Sequence, residues 1–131
     1  MKTVRKIFKE VEIRFRDIDA MGHVNNAVFF TYFEEGRKAF LEQVLGIINP
    51  SEYPFILAHV YCDYRAPLRL ENKPAVEVAI SSIGEKKFNF SYRILDTKDP
   101  SLEFGSGESV MVFYDYKAGR SIPIPKSMAD L

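Results

Sequence analysis

Apolar and polar residues change their spacing twice along this chain, and the changes mark its elements. Val11, Ile13 and Phe15 alternate with Glu12, Arg14 and Arg16, the period of a half-buried strand. From Asn26 to about Leu45 the apolar positions Val28/Phe29, Tyr32/Phe33, Gly36, Ala39/Phe40 and Val44 recur every three to four residues, which predicts one long amphipathic helix. Asn25 or Asn26 is its expected N-cap and Gly46 its left-handed stop. A loop from Ile47 to Phe55 carries Pro50 and Pro54. Strand patterns then return over Ile56–Arg65, Ala75–Ile83, Lys87–Leu95 and Leu102 to about Tyr116. Ala66-Pro67 ends the first of these, and Gly84-Glu85 predicts a tight antiparallel hairpin between the next two. Val110 to Tyr114 is apolar on both faces, as a central strand should be. The tail from Lys117 to Leu131, with Pro123 and Pro125, reads as irregular.

Strand, long helix, then four strands is the order of an α+β domain with one helix on one face of a mostly antiparallel sheet. A helix of this length spans about 30 Å. It covers only part of a five-stranded sheet, so an edge and part of a face are left for a partner subunit, and dimerisation is expected.

Composition bounds this picture without changing it. The 131 residues, 47% hydrophobic and 14% aromatic, suit one domain spanning 1–131. Eighteen basic residues balance eighteen acidic ones with no long block of either sign, so neither nucleic acid nor an anionic membrane is an expected partner. No run approaches the ~18 apolar residues of a membrane span, and Met1 to Lys6 is followed by no signal-like apolar stretch. Cys62 is the lone cysteine and has no intrachain partner. A cytoplasmic protein is the expectation.

The candidate chemistry concentrates between the first strand pattern and the helix, in Arg16-Asp17-Ile18-Asp19-Ala20-Met21-Gly22-His23-Val24-Asn25-Asn26. The helix aims its unpaired N–H groups and the positive end of its dipole back at Asp19 and His23, where a negatively charged oxygen would be stabilised. His23, four residues past Asp19, can hydrogen-bond a carbonyl or orient water, or be an ordinary loop histidine. Gly22 suits a positive φ or a close approach of substrate. Asn25 and Asn26 read first as caps, with Asn25 able to contact substrate. Asp17 has Arg14 and Arg16 as neighbours to pair with. On the helix, Glu34 and Glu35 sit at ion-pair spacing from Lys38. His59 reads as structural, Cys62 as a small core residue, and the two histidines lack metal-ligand spacing, so neither a metal nor another cofactor is expected. Gly105 and Gly107 within a long strand mark a bulge.

The string Phe15 to Asn26, followed by Phe33-Glu34-Glu35-Gly36-Arg37, resembles the hotdog-fold acyl-CoA thioesterases of the 4-hydroxybenzoyl-CoA thioesterase type. Its His-Val-Asn-Asn portion is also similar to the acyl-ACP thioesterases of the same fold. Asp63-Tyr64-Arg65-Ala66-Pro67 and Gly119-Arg120 with Ile122-Pro123 extend the likeness over nearly the whole chain.

The resemblance implies a sheet of order 1-3-4-5-2 wrapped around the helix, a homodimer with two sites at its interface, often a homotetramer, and hydrolysis of a thioester to acid and thiol. It places the catalytic carboxylate on Asp19, acting as nucleophile or general base, and the carbonyl-polarising backbone N–H near Asn26. Some enzymes of this fold take a carboxylate from the helix, and Glu34 matches that position. Two departures separate this chain from the two branches. The 4-hydroxybenzoyl-CoA enzyme has an apolar residue at His23 and aromatics at Asn25-Asn26, and the acyl-ACP branch has an asparagine where Met21 stands. The alternatives are an acyl-ACP thioesterase and a non-catalytic acyl-thioester binder. The hydratase branch of the fold needs a motif that is absent here.

Overall fold

The computed structural model describes residues 6–129 and 131. Strands β1 (Lys6–Glu10), β2 (Phe55–Tyr64), β3 (Pro74–Ile83), β4 (Lys87–Asp96) and β5 (Glu103–Asp115) form one antiparallel sheet, and helix α1 (Val28–Leu45) packs across it. The spatial order is β1-β3-β4-β5-β2, as the resemblance implied, which leaves β1 and β2 at the edges. This is the hotdog arrangement. A two-residue strand β6 (Arg120–Ser121) pairs with the end of β5, and a single turn α2 (Lys126–Ala129) follows, so the tail is more ordered than its prolines suggested. No helix among the described residues is long and apolar enough to cross a membrane.

The first strand lies upstream of the alternation that predicted it. Val11 still donates to the Pro74 carbonyl (3.2 Å), but Pro74 opens β3 and has no N–H to return, so the ladder stops there. The chain then leaves the sheet through a 3-10 turn at Phe15–Asp17, and Phe15 is left 84% exposed. Burial still alternates from Val11 to Arg14, and the alternation fails at Phe15.

Beneath α1 the packing is aromatic. Phe33 stacks on Tyr92 with ring centroids 4.3 Å apart, and Phe40 meets Phe90 edge-on at 5.2 Å. Gly36 is there for closeness: a Cβ at that position would press into Val78 and Val76 of β3. Gly107 plays the same part between strands, since a Cβ would overlap the Tyr61 carbonyl of β2. The two strand glycines mark a tight approach of β5 to β2 and α1, and the expected bulge lies beside Gly105 in the pairing with β4, where Ile94 pairs with Gly105 and Leu95 with Glu103. Gly46 ends α1 at φ +69, as expected.

On the outer face a row of charges crosses the sheet near one end. Lys6 reaches Glu77 at 3.3 Å, Glu77 meets Arg93 at 3.0 Å, Arg93 holds Glu103, and Glu103 meets Arg65 at 3.1 Å.

Candidate active site

The polar loop is folded by its own aspartates. An antiparallel bridge joins Ile18 to Val24, and inside it the Asp19 N–H donates to the His23 carbonyl at 2.8 Å. The Gly22 N–H returns to the Asp19 carbonyl at 3.1 Å, closing a turn in which Gly22 sits at φ +81. No other protein atom lies within 4 Å of a Cβ at Gly22, so within the protein itself it is the left-handed backbone that favours glycine. The Asp19 carboxylate completes the turn: Oδ1 accepts from the N–H groups of Met21 (2.9 Å) and His23 (3.3 Å). Among the described residues Oδ2 accepts no hydrogen bond, which leaves one carboxylate oxygen available to water or a substrate. Asp19 thus serves the turn with one oxygen and can serve chemistry with the other.

Asp17 fastens this loop to the helix. Its Oδ2 accepts from the Arg14 N–H (2.9 Å) and the Tyr32 O–H (2.8 Å), while its carbonyl accepts from the Asn25 N–H (2.8 Å). The pairing anticipated with an arginine side chain is made with a backbone N–H and a buried phenol. Burial and the Asp17 carboxylate hold the Tyr32 phenol far above its ordinary range, so it remains a neutral donor. Val24 donates to the Leu68 carbonyl at 2.7 Å and anchors the loop to the segment after β2.

The helix begins two residues later than expected. Asn25 Oδ1 accepts from Ala27 (2.9 Å) and the Asn25 carbonyl from Val28 (2.9 Å), so Asn25 caps the turn that leads into α1, whose own N-cap position is Ala27. The first turn is closed by short-range bonds, Phe29 to Asn26 and Phe30 to Ala27. Among the described residues the Asn26 N–H has no acceptor. The Asn26 carbonyl, by contrast, accepts the Tyr64 O–H at 2.7 Å, and the Tyr64 ring meets Phe29 edge-on at 5.0 Å. Burial raises the Tyr64 phenol above its ordinary range, keeping it a donor. Tyr64 joins the end of edge strand β2 to the start of α1.

A cleft of about 290 Å³ opens at this junction, lined by His23, Asn26, Phe29, Tyr64 and Arg65 among others. Five of the sequence candidates, Asp19, Gly22, His23, Asn25 and Asn26, are therefore brought together in one loop and the turn that follows it. Of these, His23 and Asn26 line the cleft, while Asp19 does not and is joined to it through the His23 N–H that its Oδ1 accepts. Glu34 is placed elsewhere: its side chain is 75% exposed, 4.0 Å from Arg37, and lines a second cleft further along α1. Arg65 is engaged by Glu103 and the Ser106 hydroxyl. Burial pushes the Cys62 thiol up to about 11, so it stays protonated near neutral pH. No cluster of metal-ligating side chains occurs among the described residues. Tyr32 and Tyr64 are the members that sequence reasoning missed. Tyr32 looked like one more apolar helix position, and Tyr64 was one letter of the Asp63–Pro67 string.

A sequence profile described as the thioesterase-like superfamily matches residues 13–131. The chain is 33% identical over 129 residues to a chloroplastic acyl-acyl carrier protein thioesterase of Arabidopsis thaliana, covering 92% of this chain and 65% of that protein's length. Among solved structures it is similar to a thioesterase from Thermus thermophilus complexed with coenzyme A and Zn, at 29% identity and a TM-score of 0.79, with 93% of each chain covered. A 1,4-dihydroxy-2-naphthoyl-CoA thioesterase from Synechocystis, 18% identical, shares the fold at a TM-score of 0.79, over 95% of this chain and 93% of that one.

Proposed function

The chain belongs to the thioesterase-like superfamily, and from that premise we propose that it hydrolyses acyl-CoA thioesters to the free acid and CoA. The observation that carries the reading is the Asn26 N–H, without an acceptor among the described residues, on a residue that lines the cleft together with His23 and lies one loop away from a carboxylate with an unbonded oxygen. A thioester carbonyl set against that N–H would develop its negative charge where a backbone dipole already points, and no reorganisation would be needed. Asp19 either takes a proton from water as the water oxygen attacks the carbonyl carbon, or attacks it directly to give a mixed anhydride that a second water opens. In both routes the C–S bond breaks and the thiolate leaves to take up a proton. His23 orients the water or the carbonyl from the cleft wall.

The Thermus thermophilus relative was solved with coenzyme A, and the Arabidopsis relative is named for acyl carrier protein. The second favours acyl-ACP as the runner-up substrate, and a non-catalytic acyl-thioester binder is the remaining alternative. Gly22 and Asn25 shape the substrate side of the loop. We assign Glu34 to a substrate contact across a subunit boundary, in a homodimer or homotetramer formed through the free edge of β2, where Leu57, Tyr61 and Tyr64 are each more than 40% exposed. Action in the cytoplasm suits the unpaired Cys62.

The test is thiol release from short, long and aromatic acyl-CoAs and from acyl-ACP, by wild type and Asp19→Asn in parallel. Asparagine keeps an oxygen for the Met21 and His23 N–H groups, so the turn survives while the charge goes. A hundredfold or greater loss of kcat, about 2.7 kcal/mol of barrier, is expected. Turnover unchanged in Asp19→Asn would remove Asp19 from the reaction. No turnover of any thioester by the wild type would leave the binder.

A further inference from the structure

The loop that carries Asp19 is a short two-stranded ribbon, and its two strands are held to the rest of the molecule by different means. Asp19 donates to the His23 carbonyl at 2.8 Å, Asn25 donates to the Asp17 carbonyl at 2.8 Å, and the Ile18–Val24 bridge lies between these rungs. A ribbon of this size has little stability of its own. The strand that leads to Asn26 is pinned by Val24, which is 2% exposed and donates to the Leu68 carbonyl at 2.7 Å. The strand that carries Asp19 is pinned differently. Ile18 is only half-buried, and the fixed point is Asp17, whose Oδ2 accepts the Tyr32 O–H at 2.8 Å. Tyr32 stands in the second turn of α1 and is itself 2% exposed. Among the described residues no other side chain of α1 is hydrogen-bonded to the loop.

We propose that Tyr32 and Asp17 are positioning residues, and that their bond sets where the Asp19 strand stands against the first turn of α1, and with it the span from the Asp19 carboxylate to the Asn26 N–H. A hydroxyl that donates to a carboxylate makes a shorter and stronger bond than one between neutral groups. Movement of the loop would leave the Tyr32 hydroxyl unpaired inside the protein, so the bond resists displacement. Neither residue lines the cleft, so neither is a catalytic residue. The cleft walls His23, Asn26, Phe29 and Tyr64 belong to the strand pinned by Val24, to the turn after it, to α1 and to β2. Loss of the Tyr32–Asp17 bond therefore leaves the substrate walls standing and displaces the carboxylate. A misplacement of about 1 Å can cost roughly 10²-fold in rate. The kinetic consequence rests on the thioesterase reading, whereas the geometric one does not.

Tyr32→Phe tests this by removing the hydroxyl and keeping the ring. With the acyl-CoA that the wild type cleaves fastest, kcat is expected to fall about tenfold while KM stays within about twofold and the melting temperature within a few degrees. Asp17→Ala should give the same split, and adding Tyr32→Phe to it should cost less than about a further twofold, because both substitutions remove one bond. Asp17→Ala leaves the interior intact and carries the test if Tyr32→Phe does not fold. Amide hydrogen exchange supplies an arm that needs no turnover. The Asp19 and Asn25 N–H groups, which bond across the ribbon, should exchange at least about tenfold faster in either variant, with the central sheet at wild-type rates. An unchanged kcat, a KM that rises while kcat holds, single effects that multiply in the double variant, or ribbon amides at wild-type rates would each overturn the proposal. A wild type inert toward every thioester takes down the hydrolase reading instead, and the exchange rates then decide the tether alone.

Discussion

The loop from Arg14 to Asn26 and the interior beneath α1 are made from opposite materials. The interior is apolar contact: Phe33 on Tyr92, Phe40 against Phe90, and two glycines where even a methyl group would collide. The loop has almost no core of its own, and at least seven hydrogen bonds to or from Asp17, Asp19 and Asn25 fold it. One region sets how stable the molecule is, the other where a carboxylate and an N–H stand. Side chains of the loop can therefore be exchanged for hydrogen-bonding equivalents at little cost in stability, while activity responds sharply.

Substitutions at four positions sharpen or break that contrast. Phe33→Ala should cost about 3–5 kcal/mol of stability, read by chemical denaturation, and leave the specific activity of the folded fraction close to wild type. Asp19→Asn inverts the pattern, with the hundredfold loss of turnover given above and a melting temperature within a few degrees of wild type, whereas Asp19→Ala loses both because the turn loses its acceptor. Gly22→Ala should cost about 1–2 kcal/mol from the left-handed backbone alone, and crowding contributes nothing because the site is open. Tyr64→Phe is the smallest change: kcat should fall about fivefold, roughly 1 kcal/mol, with KM and the melting temperature held, since only the bond to the Asn26 carbonyl is removed. A Tyr64→Phe protein that loses stability instead would show that the loop and the interior are one unit.

What could be read from the amino-acid order follows the same division. The helix face, the hairpin at Gly84-Glu85 and the central fifth strand are periodic features, and periodicity is a local property; all three are present in the fold. The first strand was displaced because Val11 to Phe15 alternates in type after Pro74 has already ended its ladder, a condition set sixty residues away. The loop candidates were visible as a cluster because they are contiguous. Their partners were not, since Tyr32 and Tyr64 reach Asp17 and Asn26 across fifteen and thirty-eight positions. The cap moved from the helix to the preceding turn because Asn25 bonds Ala27, a choice between adjacent turns that composition leaves open.

The charge row on the outer face has a consequence for how the chain finds its topology. Across the sheet, from β1 through β3, β4 and β5 to the residue after β2, it runs Lys6, Glu77, Arg93, Glu103, Arg65, strictly alternating in sign. Along the chain the same five residues read plus, plus, minus, plus, minus. Laid down in chain order the strands would set Lys6 beside Arg65 and break the alternation, although exchanging strands of like charge would keep it, and shifting one strand by a single position turns its charge toward the apolar side. The row thus behaves like a parity check written across the sheet, rejecting arrangements that set like charges side by side.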